Sequence, residues 1–268
     1  MDKLLILNKA NENLKIRFPT RIKTPITMSD INAAYDRNAF SIEADAKTRK
    51  GSPNGYLTGI LYLAPSNMSG INTCPSASQG CAAACLFTAG RGVMYPVFKA
   101  RIIKTLAFYF DRERYIATIN KSIKQLRTKA KNKGMTPIVR LNGTSDILWE
   151  RVTNIIQSHP DIQFYDYTKI ASRFKTDRPA NYDLTFSLHE TNSSQAQDVL
   201  RLGARVAVVF RDELPIEFFD AKVISGDDTD LRFLDPSGVI VGLKAKGRAK
   251  TDKSGFVQDL SQIETKAA

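Results

Sequence analysis

The sequence predicts an α/β fold in which parallel strands alternate with helices and form a partial or complete TIM-like barrel. Beyond residue 135, short apolar runs of strand length alternate with helical patterns. Parallel neighbours cannot be joined by a hairpin, so this alternation indicates parallel pairing. Polar residues also follow almost every run at its carboxyl end, and a barrel would bring all of those ends to one mouth. An open doubly wound sheet is the alternative, because polar loops follow its strands too.

The elements follow in order along three predicted segments. Residues 1–55 are turn-rich and indicate an irregular N-terminal extension, residues 56–250 form the βα domain, and residues 251–268 form a polar C-terminal tail. In the βα domain, β-rich runs predict strands at residues 56–64, 137–141, 162–167, 184–188, 206–210, 222–225 and 239–243. Helical patterns fall at residues 99–133, 147–158 and 194–202.

The chain is strongly basic, with a formal net charge of +12. Between residues 99 and 133, eleven Lys and Arg residues stand against two acidic residues. Apolar residues recur there at three- to four-residue steps, so the basic residues occupy the opposite, solvated face of a helix. A soluble helix surface explains this pattern, and a nucleic-acid footprint is the alternative. No DNA- or RNA-binding motif accompanies the charge, so the charge alone names no partner.

The length and hydropathy of the chain indicate the size of its core and the compartment in which it works. A chain of 268 residues is long enough to bury one sizeable core. No run of about 18 apolar residues occurs, and the apolar patch near the start is too short for a secretory signal or a membrane span. We therefore expect a cytoplasmic protein with no membrane partner and with reduced thiols.

All three cysteines of the chain, Cys74, Cys81 and Cys85, fall within one short polar segment. Cysteines scattered by chance would populate the core, so this clustering indicates a shared ligand. An odd number leaves one thiol over from any disulfide scheme, whereas three thiolates suit a metal centre with one open position. Cys81 and Cys85 are four residues apart, so a helical turn starting at residues 79–80 would place both sulfurs on one face.

Among metals, an iron–sulfur cluster fits this set best. A 4Fe–4S cluster accepts three cysteines and leaves one iron free. A structural zinc site would need a fourth ligand, which only a histidine or a carboxylate could supply. His189 ends a predicted strand and is a candidate, whereas His159 lies in a helix-to-strand turn and is expected to be a surface histidine. Zinc and purely structural or reactive thiols stay open as alternatives.

Six short motifs stand out along the chain: NTCP at 72–75, GCAAACL at 80–86, AGRG at 89–92, RLNGTSD at 140–146, YDYTK at 165–169 and GLKAKG at 242–247. Together they resemble the phage-encoded "gene product 88" domain family over residues 56–247. That family is mainly uncharacterised, so the resemblance implies a viral origin and leaves the reaction open. It also implies that the cysteines and the strand-end residues form one unit.

A three-cysteine loop directly after the first strand of a βα barrel also resembles the cluster site of radical S-adenosylmethionine enzymes. The resemblance implies that the open iron would chelate the amino and carboxylate groups of S-adenosylmethionine. The gaps between the cysteines are six and three residues here, whereas that superfamily usually has three and two. Radical chemistry is therefore one interpretation of the motif.

Polar residues at the predicted strand ends are candidates for cofactor binding. They are Asn142, Thr144, Asp146, Tyr167, His189 and Lys244. Asn142 can donate and accept hydrogen bonds, and Asp146 can pair with an ammonium group. Capping of the following helix by Ser145 or Asp146 is the alternative role. Lys244 would place a positive charge near a negatively charged cluster.

Three functional classes are compatible with the sequence. The first is an iron–sulfur protein whose open iron binds a small molecule, in the form of a radical S-adenosylmethionine-like enzyme. The second is a non-enzymatic iron–sulfur protein for electron transfer, sensing or structure. The third is a basic nucleic-acid-binding protein with a structural metal site. No catalytic residue or substrate is predicted.

Overall fold

The computed structural model describes residues 2–21, 24–44 and 46–261. The α-helices are α1 Lys3–Arg17, α2 Met28–Ala34, α3 Ala46–Arg49, α4 Gln79–Ala83, α5 Tyr95–Phe110, α6 Arg112–Asn132, α7 Trp149–Val152 and α8 Ser193–Arg201. The strands are β1 Ser41–Ile42, β2 Tyr56–Ile60, β3 Thr136–Arg140, β4 Gln163–Thr168, β5 Tyr182–Ser187, β6 Arg205–Phe210, β7 Glu217–Phe218, β8 Ala221–Ser225, β9 Ile240–Lys244 and β10 Val257–Gln258.

The strands form one ten-stranded, mostly parallel sheet in the order β1-β2-β3-β4-β5-β6-β9-β8-β7, with β10 beside β6. The predicted parallel α/β fold is confirmed, but the sheet is not closed, and this corrects the expectation of a TIM-like barrel. Two features oppose closure. A barrel needs its strands in sequence order, whereas β9 inserts between β6 and β8. Both edge strands, β1 and β7, have two residues and pair antiparallel with their neighbours.

The chain divides into two compact units. The first unit comprises Met1–Pro75 and Arg91–Phe164, and the second comprises Ser76–Gly90 and Tyr165–Ala268. Strand β4 therefore contributes its first two residues to the first unit and its remaining residues to the second.

Helix α1 in the first unit is capped by Asp2, whose carboxylate accepts hydrogen bonds from the amides of Leu4 and Leu5. One stripe of its side chains is buried, comprising Ile6, Leu7, Ala10 and Leu14. The predicted irregular N-terminal extension thus contains a helix of 15 residues. Residues 1, 22, 23 and 45 of that extension lie outside the described residues.

Helix α6 packs on the β2–β3 pair of the first unit, and α5 packs against α6. The predicted helix at residues 99–133 is confirmed as these two helices, and α6 is capped by Asp111, which accepts a hydrogen bond from the amide of Arg114. A β-carbon at Gly59 of β2 would lie 3.0 Å from side-chain carbons of both Leu126 and Phe40. The glycine therefore permits close approach of α6 to the sheet.

The core of the second unit packs helix α8 against strands β5, β6 and β9. Its buried members are Phe186, Leu188, Ala196, Val199, Val206, Val208, Phe210 and Ile240. Strand β10 pairs with Val209 and Phe210 at the end of β6, where β5 has already ended opposite Ala207. The predicted polar tail at 251–268 thus supplies a strand, while its residues 262–268 lie outside the described residues.

The seven predicted strands are all present, as β2, β3, β4, β5, β6, β8 and β9. The helix predicted at residues 194–202 is confirmed as α8, whereas the one predicted at 147–158 is reduced to α7 and a series of turns. Across the described ranges, no helix is both long and apolar enough to span a membrane.

Candidate functional site

Cys74 lies in the first unit, beside the loop that follows β3. Its sulfur accepts a hydrogen bond from the amide of Ser66, with 3.5 Å between nitrogen and sulfur, and lies 3.7 Å from the carbonyl oxygen of Thr144. The amide of Asp146 donates a hydrogen bond, at 2.9 Å, to the carbonyl of Thr73, the residue before Cys74. The structure thus brings two of the predicted strand-end residues, Thr144 and Asp146, next to the first cysteine.

Asn142 organises the loop after β3. Its Oδ1 accepts hydrogen bonds from the hydroxyl of Ser145 at 2.8 Å, the amide of Ile147 at 3.0 Å and the indole N–H of Trp149 at 3.2 Å. Its Nδ2 donates to the carbonyl of Ile147 at 2.9 Å. These are the bonds of a residue that holds a turn, and its cofactor-binding role stays a prediction.

Tyr109 of α5 is electrostatically coupled to Cys74. Burial raises the pKa of Tyr109, the positive charge of Arg112 opposes the shift, and the negative charge of an ionised Cys74 adds to it. Sequence reasoning missed this tyrosine, because its proximity to the cysteine depends on the packing of α5 and has no local signature.

Cys81 and Cys85 lie in the second unit, in and after helix α4. The Ser78 hydroxyl caps this helix by accepting a hydrogen bond from the Cys81 amide at 3.1 Å, which confirms a helical turn at residues 79–80. The helix ends at Ala83, and Cys85 has extended backbone angles, with φ −51° and ψ 141°. Cys85 therefore lies outside the helix, and a common face for the two sulfurs stays a prediction.

Glu190 anchors the cysteine-bearing segment to the second unit. Its carboxylate accepts hydrogen bonds from the hydroxyl of Ser78 at 2.6 Å and from the amide of Gly80 at 2.7 Å. Burial raises the pKa of Glu190, but the hydrogen bonds from Ser78 and Gly80 outweigh that effect, and the pKa is held below its ordinary value. A β-carbon at Gly80 would clash with the Ser254 hydroxyl and lie 2.8 Å from a Glu190 oxygen, so any other residue there would displace these side chains.

Glu190 was not among the predicted site residues. It occurs in the polar run after β5, but a single acidic residue in such a run does not indicate which segment it binds. Its partners lie 110 and 112 residues away in the sequence. The distance explains why local patterns could not identify it.

A second contact holds the far end of the cysteine-bearing segment. Ala84 packs in a small apolar cluster with Ala245, Ala249 and Val257. The amide of Arg248 donates to the hydroxyl of Thr88 at 3.2 Å. This contact brings a basic run, in which Lys244, Lys246, Arg248 and Lys250 are exposed, against the residues that follow Cys85.

His189, a predicted cofactor-binding residue, is buried at the end of β5. Its Nδ1 accepts from the amide of Thr191 at 3.2 Å, which assigns the proton of the neutral ring to Nε2. Burial lowers the pKa of His189, the positive charge of Lys169 lowers it further, and Glu190 opposes the shift. The ring is therefore neutral at pH 7.

The other predicted site residues in this unit have different surroundings. The amide of Lys244 donates to the Asp227 carboxylate at 3.0 Å, and its side chain is exposed. Tyr167 is half-buried on β4, next to Asp166, which accepts a hydrogen bond from the Tyr182 hydroxyl at 2.8 Å. The structure assigns neither residue a ligand, and both roles stay predictions.

His159 of the first unit is not the surface histidine that was expected. It is buried, its Nε2 lies 2.7 Å from the Asn120 oxygen, and its Nδ1 lies 2.9 Å from an Arg127 nitrogen. Arg127 also pairs with Asp161. Burial and then the positive charge of Arg127 lower the pKa of His159. The histidine joins helix α6 to the loop before β4, a contact that sequence alone does not reveal.

The three cysteines are free thiols and all three are half-buried. Over the part of the chain that the structure describes, no group of three or more His, Cys, Asp or Glu side chains is arranged to hold a metal ion. The chemistry of the donor set nevertheless suits a sulfur-rich centre, because half-exposed thiols in no disulfide can be deprotonated and bind metal.

A profile of the family described as "Gene product 88" matches residues 35–260. The chain belongs to this family. The match covers most of the chain and includes both the cysteine-bearing segment and every predicted strand, so the resemblance inferred from the six motifs is confirmed. Searches of curated proteins and of solved structures found no match. A function for this chain is therefore inferred from its own residues.

Proposed function

We propose that this member of the gene product 88 family is an iron–sulfur protein that binds a 4Fe–4S cluster through Cys74, Cys81 and Cys85. The observation that carries the proposal is the placement of every cysteine of the chain within twelve consecutive residues. Cysteines that serve only in packing are usually fully buried, whereas these three are half-buried free thiols. Three thiolates per cluster leave one iron for another ligand.

The surroundings of the cysteines support this proposal. The segment with Cys81 and Cys85 is held at its start by Glu190 and at its end by the Thr88–Arg248 contact, so its backbone is anchored on both sides of the two thiols. The exposed basic run at residues 244–250 supplies positive charge beside it. Positive charge favours a cluster whose thiolate ligands make it anionic.

Among the described residues, no three metal-binding side chains are already grouped. Metal binding commonly orders its own ligands, and the binding free energy contributes to folding. We therefore expect the loaded protein to unfold at a higher temperature than the metal-free protein.

The finer proposal is that the open iron binds S-adenosylmethionine. With S-adenosylmethionine bound, a reduced cluster of this kind would supply the electron that cleaves this cofactor. The chain would contribute the loop after β3, which is fixed by Asn142 and whose residues Thr144 and Asp146 already contact the Thr73–Cys74 backbone and sulfur. A carboxylate such as that of Asp146 suits the cofactor's ammonium group.

Anaerobic purification and reconstitution with iron and sulfide test the first proposal. We expect a brown protein with about four irons per chain. Cys81→Ala should lose the colour, whereas Ser76→Ala in the same segment should keep it. A colourless protein that carries one zinc ion would refute the cluster.

Addition of S-adenosylmethionine to the reduced protein tests the finer proposal. We expect the electron paramagnetic resonance signal of the cluster to change on addition, and Asp146→Asn to weaken that response without loss of iron. A loaded cluster whose signal is unaffected by the cofactor would instead assign the protein to electron transfer or sensing.

A further inference from the structure

Helix α6 carries a row of basic side chains on its solvent face. The row consists of Arg114, Lys121, Lys124 and Lys131, all exposed, and we refer to it as the outer row. Three- and seven-residue steps place successive members on the same side of a helix. At 1.5 Å per residue, the row extends over about 25 Å.

Other basic residues near α6 are neutralised on its flanks. Arg127 pairs with Asp161, and both Lys129 and Lys133 pair with Glu43. Among the described residues, no ion pair involves a member of the outer row. Asp161 and Glu43 are thus paired with basic residues on the flanks of the helix, and neither forms an ion pair with the outer row.

Helix stability does not explain the outer row. Acidic residues near the start of a helix and basic residues near its end are stabilising, which accounts for Glu113 and Lys131. Lys121 and Lys124 lie in the middle of α6, where the dipole has no effect, and at this spacing like charges repel. Arg114 lies in the first turn, where a positive charge is unfavourable, although it stacks over the Tyr35 ring at 4.3 Å.

We infer that the outer row binds the phosphate backbone of a nucleic acid. Lysines on a rigid helix that have no acidic partner can each neutralise a phosphate and release its counterions. An anionic membrane fits less well, because an interfacial helix needs exposed apolar residues next to its basic ones. Ile119, Ile123 and Leu126 of α6 are fully buried within the first unit, and Ile116 is half-buried.

The contact would be independent of base sequence. Helix α6 has one aromatic residue, Tyr115, and it is fully buried, so no exposed aromatic platform accompanies the outer row. Base-specific recognition needs side chains that reach base edges, or aromatic rings that stack on unpaired bases. The inference is independent of the proposed cluster, since it depends only on α6 and its neighbours.

Fluorescence anisotropy of the full chain with a labelled 20-base-pair DNA duplex and a labelled single-stranded RNA tests the inference at several salt concentrations. The row variant is Lys121→Ala/Lys124→Ala/Lys131→Ala. The control variant, Lys175→Ala/Lys222→Ala/Lys253→Ala, removes the same charge from three exposed lysines of the second unit. Alanine is a strong helix former, so the row variant should fold, and circular dichroism checks that it does.

We expect the unmodified protein to bind both probes at low salt, with a steep loss of affinity as salt rises. The row variant should bind at least about tenfold more weakly, and its logarithmic salt slope on duplex DNA should fall by about 2 to 3, at about 0.9 per lost phosphate contact. The control variant should change the affinity less than threefold, about the effect of net charge alone.

Three results would overturn the inference. They are absence of binding by the unmodified protein at low salt, equal weakening in the row and control variants, and binding to vesicles with anionic lipid that exceeds binding to either nucleic acid. The second result would mean that binding follows total charge and has no defined surface.

Discussion

Replacement of Glu190 by alanine should release the segment that carries Cys81 and Cys85. The carboxylate accepts two hydrogen bonds, at 2.6 Å from Ser78 and at 2.7 Å from Gly80. A hydrogen bond to a charged group contributes about 1.5–3 kcal/mol, and Glu190 is only half-buried, so each contribution lies near the lower end. We expect the free energy of local opening of residues 76–90 to fall by about 2–3 kcal/mol, mostly through these two bonds.

A loss of that size should raise the open fraction of the segment about 30- to 140-fold, since about 1.4 kcal/mol corresponds to a factor of ten. Hydrogen–deuterium exchange measures it, because the Ala82 and Ala84 amides are bonded within the helical turn to Ser78 and Gly80. The matched control is Glu213→Ala, which removes an exposed glutamate of the same unit. Unchanged exchange at Ala82 and Ala84 in the Glu190 variant would refute the proposed anchoring.

Three further predictions concern stability. Among the described residues, no group bonds the hydroxyl of Tyr115, which is fully buried, so Tyr115→Phe should stabilise the protein by about 1 kcal/mol in urea unfolding, and destabilisation would contradict this reasoning. Asn142→Ala should cost about 2–4 kcal/mol in the same assay, because three donors lose their acceptor, and a cost below about 1 kcal/mol would show that water replaces it. His159 has a lowered pKa, so the unfolded chain binds its proton first as pH falls. Stability should therefore decrease from about pH 6.5 downwards, more steeply in the unmodified protein than in His159→Gln, and equal slopes would exclude this role.

Sequence patterns predicted the parallel strands well because each has at least five residues, with apolar or aromatic side chains among them. The three strands that were missed, β1, β7 and β10, have two residues each and exist only through pairing with a longer neighbour. The prediction that the sheet closes into a barrel was wrong for a related reason. Insertion of β9 between β6 and β8 is a long-range pairing choice, and the same apolar runs are compatible with either order.

At residues 147–158, the hydrogen bonds of one side chain prevent the helix that the spacing of apolar residues predicts. Asn142 binds the amide of Ile147 and the indole of Trp149, which fixes the chain in a turn where the helix was expected to start. Thr153 then has extended backbone angles, with φ −161° and ψ 160°, and ends α7 after one turn. Asparagine competes with helix in this way because its side chain can replace backbone hydrogen bonds.

The net charge of +12 became informative only when the structure distinguished the basic residues that form ion pairs from those that do not. Read as a total, it predicts weak attraction to any polyanion. On the flanks of α6, Arg127 pairs with Asp161, and Lys129 pairs with Glu43. In the middle of the helix, Lys121 and Lys124 have no acidic partner in any ion pair of the described residues. Two surfaces with equal numbers of lysines therefore differ in what they can bind. Because the row and control variants remove the same total charge, any difference between them measures the arrangement of charge on α6.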